Sequence, residues 1–200
     1  PAPAAPARND TRWYIGGTAL FKVGMESLGL AVPLIALVVF GQATWAAMMA
    51  MGWGVSQIIG SSVGGGLLDR RPPAKVLAWT MGLQALSVTA LLGLFVAQSA
   101  FGIPLAQPIA VLALHMVTGI LAGVADTARQ VIPPALVGDE GQALKVFNSK
   151  VHVAYEFAGV AGALLAGLLI KTVGVVFVLA LHPPAYLLAA WAFSRLKLAP

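Results

Sequence analysis

The chain has 200 residues, of which 59% are hydrophobic and 10% charged, with a mean hydropathy of +0.88 and a net charge of +5. A soluble domain of this size could not cover itself with water-compatible surface at that ratio. Cysteine is absent, which excludes disulfides, thiolate metal sites and cysteine nucleophiles. With no Gly-rich phosphate loop and no HExxH helix either, no enzyme, metal or cofactor is expected.

The chain opens with PAPAAPARND, a Pro/Ala stretch lacking the apolar core of a signal peptide, so residues 1–12 are expected to form a disordered tail or linker. Starting on Pro rather than Met, the sequence reads as a processed or excised segment of something longer. Six apolar stretches follow, each near the roughly 20 residues needed to span a bilayer. They are Trp13 to Phe40, Trp45 to Leu68, Val76 to Gln98, Pro108 to Val131, Phe147 to Ile170 and Val173 to Phe193. Short connections carry turn formers: Gly41-Gln42, Pro72-Pro73, Gly102 to Pro104 and Pro133-Pro134. An all-α membrane domain over residues 13–195 is predicted, with 196–200 beginning a cytoplasmic linker or tail.

Charge orients the bundle, because Lys and Arg accumulate in cytoplasmic loops. Arg8 and Arg12 precede the first stretch; Arg70, Arg71 and Lys75 join the second to the third; Arg129, Lys145 and Lys150 flank the fourth and fifth; Arg195 and Lys197 follow the sixth. The opposite loops, 42–44 and 99–107, are uncharged, and Lys171 is the single basic residue on that side. Both termini are predicted cytoplasmic, in an inner or plasma membrane of bacterial type. Trp13, Tyr14, Trp45 and Trp191 fall near helix ends, where aromatic rings prefer the interface. The positive charge is thus a topology signal, and no nucleic-acid partner is inferred from it.

Ionisable groups inside apolar spans stand out, since each costs roughly 2.5–3.5 kcal/mol near the bilayer centre. Lys22 and Glu26, four apart, share a helical face and can neutralise one another. His115 and His182 lie at comparable depth in the fourth and sixth stretches, where either could relay a proton or bond a neighbouring helix. Pro183-Pro184 should break or kink the sixth helix, and His182 could satisfy a carbonyl so freed. His152 and Glu156 form another pair four apart. Gly60 and Gly64, and the looser pairs Gly162/Ala166 and Ala163/Gly167, allow close helix approach.

The segment GGLLDRRPPAK (Gly65 to Lys75) resembles the signature loop of the major facilitator superfamily, with Gly65, Asp69 and Arg70 in matching type and spacing and Lys75 one place late. Pro72 stands where that loop has a turn glycine. HMVTG (His115 to Gly119) is similar to a fourth-helix motif of the superfamily's proton-driven exporters, with His115 at an arginine position. DTARQVIPPALV and FNSKVHVAYEFAGVAGALLAG also resemble the N-terminal half of such exporters, although GVAGA (Gly159 to Ala163) lacks their fifth-helix proline.

The resemblance implies six helices arranged as a 3+3 inverted repeat, helices one and four lining a cavity and helices two and five facing a second six-helix half, in the same chain or a second copy. It further implies a cytoplasmic gating network of Gly65, Asp69, Arg70, Lys75, Asp126 and Arg129, in which Arg70 pairs with an acid such as Asp126. The expected activity is proton-coupled export of small amphipathic molecules by alternating access, driven by the proton gradient. Lys22, Glu26, His115, Glu156 and His182 would form its substrate and proton pathway. An importer or uniporter of the same superfamily and a non-transport membrane scaffold are the alternatives.

Overall fold

The computed structural model describes residues 8–102, 107–138, 141–196 and 198. These fold into helices alone: α1 (Arg8–Phe40), α2 (Ala43–Leu68), α3 (Pro73–Phe101), α4 (Pro108–Gln130), the short α5 (Ile132–Val137), α6 (Gly141–Val173) and α7 (Val175–Ser194). Five of them, all but α2 and α5, are long and apolar enough to cross a membrane, with α5 continuing the α4 span. The fold is that of a helical membrane protein. The α2 helix is also long, at 26 residues, but Gly, Ser, Gln and Trp dilute its hydropathy.

The helix ends follow local chemistry. Gly102 closes α3 in the left-handed region (φ 65°), its N–H bonding to Gln98 O at 3.2 Å. Proline opens α3 and α4, where its missing N–H removes nothing the helix needs. Pro72, in place of the turn glycine, caps α3 with φ −58°, the angle its ring imposes.

Several expectations are corrected. Helix α1 starts at Arg8, so residues 8–12 are not a disordered tail; residues 1–7 and Lys197, Ala199 and Pro200 lie outside the described residues. Pro133 and Pro134 do not form a loop but sit in the first turn of α5, the one part of a helix that tolerates them. Helix α7 runs unbroken through Pro183 and Pro184. Pro104 lies outside the described residues.

The core is built by seams of seven-residue spacing. Tyr14, Phe21, Leu28 and Ile35 of α1 are fully buried, as are Leu179, Tyr186 and Phe193 of α7. A period near 3.5 keeps one stripe facing a neighbour along the whole helix. Helix α1 packs on α6, α7 and α2; α4 packs on α2 and α3; and α3 packs on α7. The tightest approach joins α2 to α4. A Cβ on Gly60 would collide with the Ile120 carbonyl, and one on Gly123 with the Gln57 carbonyl. Gly60 and Gly64 of α2 thus serve contacts inside the bundle, and Gly162 does the same for α6, where a Cβ would lie 2.9 Å from Val23 Cα. Gly167, by contrast, is exposed.

Candidate functional site

Polar side chains from α1, α4 and α6 converge toward the basic end of the bundle, the end carrying Arg12, Arg70 and Arg195. Lys22 and Glu26 lie in the middle of the 33-residue α1, their side chains paired at 2.5 Å along one face. Lys22 is 12% exposed and Glu26 39%, so the ammonium points inward and the carboxylate reaches open space. Room for Lys22 comes from Gly159 of α6, where a Cβ would sit 2.8 Å from Lys22 Cε.

One turn before Gly159 stands Tyr155, which no motif had singled out. The Lys22 ammonium lies 4.5 Å from its ring centroid and the Arg129 guanidinium 4.2 Å. Arg129 donates to Asp126 Oδ1 through Nε at 3.1 Å and through a terminal nitrogen at 2.7 Å. The Tyr155 hydroxyl donates to the same oxygen at 3.4 Å, and Gln130 Nε2 donates to Asp126 Oδ2 at 2.8 Å. Nearer the helix ends, the Tyr14 hydroxyl donates to Arg129 O at 2.8 Å. Tyr14 is therefore a fully buried strut and not the interfacial ring its position near a helix start implied. Helices α4 and α6 share little direct packing, so this cluster is what joins them.

The foreseen Lys22/Glu26 pair is thus brought together through Tyr155 with a second pair, Asp126/Arg129, whose members were expected in the gating network but not as partners of each other. The foreseen Arg70–Asp126 pair does not form: Arg129 occupies Asp126 from one turn along the same helix, while Asp69, Arg70 and Lys75 are exposed at the α2–α3 turn. Gly65 accepts the Asp69 N–H at its carbonyl and borders open space. His152 and Glu156 pair at 3.8 Å, but on the outer face of α6, 74% and 60% exposed, away from the cluster.

The other two histidines are buried at separate points. His115 is fully buried with its ring stacked on Trp53 of α2, 4.9 Å between centroids at 19°. Neither of its ring nitrogens has a hydrogen-bond partner among the described residues. Gly119 beside it admits Trp53, whose Cε3 would be 3.2 Å from an added Cβ. His182 has partners on both sides: Nδ1 lies 2.8 Å from Val178 O, and Nε2 lies 2.8 Å from Ser27 Oγ and 3.1 Å from Gly24 O. Val178 O is one residue short of Leu179, the first carbonyl deprived of its donor by Pro183, and the imidazole also interacts with the Leu179 backbone. Through Ser27 and Gly24 it ties α7 to α1 as well.

With Nδ1–H donating to Val178 O and Nε2 accepting from Ser27, a neutral His182 is satisfied. The Ser27 hydroxyl also lies 3.2 Å from Gly24 O, so by rotating it frees Nε2 to donate when the ring is protonated. Chemically, the molecule holds two buried imidazoles and a cation–carboxylate cluster within apolar spans. Among the described residues, no three His, Asp or Glu side chains are grouped to hold a metal ion. Compared with family models, with curated proteins and with solved structures, the chain matches none.

Proposed function

We propose that the chain is one six-helix half of a secondary transporter of the major facilitator type, exporting small amphipathic molecules in exchange for protons. The observation that carries the reading is the Lys22–Glu26–Tyr155–Arg129–Asp126 cluster, which joins three helices across apolar spans. Ion pairs buried in a membrane seldom improve on apolar packing, and such groups are retained where they move ions or substrates.

The packing pattern supports a 3+3 repeat. Exchanging α1, α2 and α3 for α4, α6 and α7 turns the α1–α6 contact into α4–α2, turns α1–α7 into α4–α3, and leaves α3–α7 as it was. The α1–α2 contact alone among the larger ones lacks its counterpart. In this reading α2 is the sixth span. Glu26, open to one side, takes and releases the coupling proton; Lys22 holds its charge, and Arg129 with Asp126 latches the cytoplasmic end. Exposed Gly65, Asp69, Arg70 and Lys75 are left to the second half, as are His152 and Glu156. A carboxylate 60% exposed about four turns into α6 is better matched by protein than by hydrocarbon.

The test is a resistance and accumulation profile in cells expressing the complete reading frame, wild type against Glu26→Gln, over dyes, antibiotics and siderophore-like compounds. Protection that disappears in the variant and on collapse of the proton gradient is expected. Equal sensitivity of expressing and empty cells to every compound would rule out export and leave uptake or a scaffold role.

A further inference from the structure

At the basic end of the bundle, α1 and α7 flank a cleft of about 450 Å³ lined by Asn9, Arg12, Trp13, Gly16, Gly17, Leu20, Leu188, Trp191 and Ala192. Its two ends differ in chemistry. Toward the helix ends stand Arg12 and Asn9. Arg195 does not line the cleft itself but adjoins it through Trp191, its guanidinium 5.1 Å from that ring's centroid. Further in, Gly16, Leu20 and Leu188 give an apolar floor. Trp13 and Trp191 meet edge to face between them, 4.8 Å between centroids.

We infer that this cleft binds an anionic phospholipid, its phosphate held by Arg12 and Arg195 and one acyl chain laid along Gly16, Leu20 and Leu188. The proposal needs only that the bundle spans a membrane, so it stands or falls apart from the transport reading.

Charge supports it first. No carboxylate lines the cleft, and no ion pair occupies Arg12 or Arg195 among the described residues. Asp10, the nearest acid in sequence, is buried, and a spacing of two residues turns it to the other side of α1. Arg195 is exposed while resting on Trp191, so its donors are free to take phosphate oxygens.

Shape comes second. Gly16 has nothing within 4 Å of the place its Cβ would occupy, so the groove is open there by the lack of a side chain. From Arg12 to Leu20 the helix rises roughly 12 Å, the span from a headgroup into the upper acyl region. Depth is the third support. Paired Trp rings mark the membrane–water interface, and a positive-inside orientation places this end in the leaflet where anionic lipids attract basic side chains.

The experiment places purified protein in nanodiscs of phosphatidylcholine with a minor share of phosphatidylglycerol and counts, by native mass spectrometry, the lipids that stay bound. Wild type should retain phosphatidylglycerol preferentially, and Arg12→Gln and Arg195→Gln should each lower that preference about fivefold. Gly16→Leu sets its Cβ where nothing lies within 4 Å and carries the rest of its side chain into the groove, so it should reduce retention of both lipids while the protein still folds. Added inorganic phosphate should not displace the lipid, since it lacks the chain. Preference that survives the double arginine replacement, indifference to Gly16→Leu, or displacement by phosphate alone would each overturn the assignment.

Discussion

The indole of Trp53 lies nearly parallel to the imidazole of His115, so a ring of α2 covers a ring of α4 at a point where the imidazole nitrogens meet no acceptor or donor among the described residues. A buried polar group without a partner costs roughly 1–3 kcal/mol, and an apolar ring of similar shape keeps the stack without that cost. His115→Phe is therefore expected to leave the melting temperature in detergent unchanged or raise it. A lowered melting temperature would mean that the imidazole carries a stabilising bond after all.

Tyr155 receives Lys22 and Arg129 against one ring, and its two kinds of contact can be separated. Tyr155→Phe keeps the cation contacts and loses only the long hydrogen bond to Asp126, whereas Tyr155→Leu loses both. The Phe variant should cost less than about 1 kcal/mol, and the Leu variant on the order of 2 kcal/mol, in denaturation from mixed micelles. Equal losses in the two would show that the ring's meeting with the cations contributes nothing.

Lys22 and Glu26 should be coupled, though modestly. Glu26 is 39% exposed, so screening keeps the loss on Glu26→Gln to about 1 kcal/mol, most of it from leaving the inward Lys22 unpaired. Pairing it with Lys22→Met should return the stability to near wild type. A double-mutant cycle checks this, and strictly additive losses would contradict a working pair.

Glycines in α2 and α4 divide sharply. Gly123→Ala must push α2 from α4, because its methyl would meet the Gln57 carbonyl, and a loss of several kcal/mol is expected. Gly65→Ala meets nothing within 4 Å and should be neutral or stabilising by about 0.5–1 kcal/mol through helix propensity. If Gly65 faces a second half in the transporter, that same variant should lower transport while the isolated bundle melts as before.

Much of the architecture was readable because a membrane helix announces itself by length and apolarity, independent of its neighbours. The pairs Lys22/Glu26 and His152/Glu156 were readable for a similar reason, as helical spacing alone puts them side by side. What escaped was everything set between helices. Tyr155, Tyr14, Ser27 and Gly159 acquire meaning from the relative rotation and height of α1, α4, α6 and α7, and no single-helix pattern encodes those. The direction in which Gly60 and Gly64 face was hidden too. In an apolar helix, the buried and outward surfaces are made of the same residues: exposed Met51, Val55 and Ile58 differ little in kind from buried Met49. The expected Arg70–Asp126 pair failed because a partner one turn away on α4 outcompetes one that must reach across from another helix.

The glycine contact between α2 and α4 also has a kinematic consequence. At Gly60 and Gly123 each backbone rests against the other's carbonyl with no side chain between them to slide or change rotamer, which favours the two helices moving as one lever. The seam between α1 and α2 is of another kind, made by rings such as Phe40 against Trp45, 6.4 Å between centroids. Rings can roll over one another. Any hinge within this bundle therefore belongs between α1 and the α2–α4 lever, and the Tyr14–Arg129 and Tyr155–Asp126 bonds are the fastenings such a movement must release.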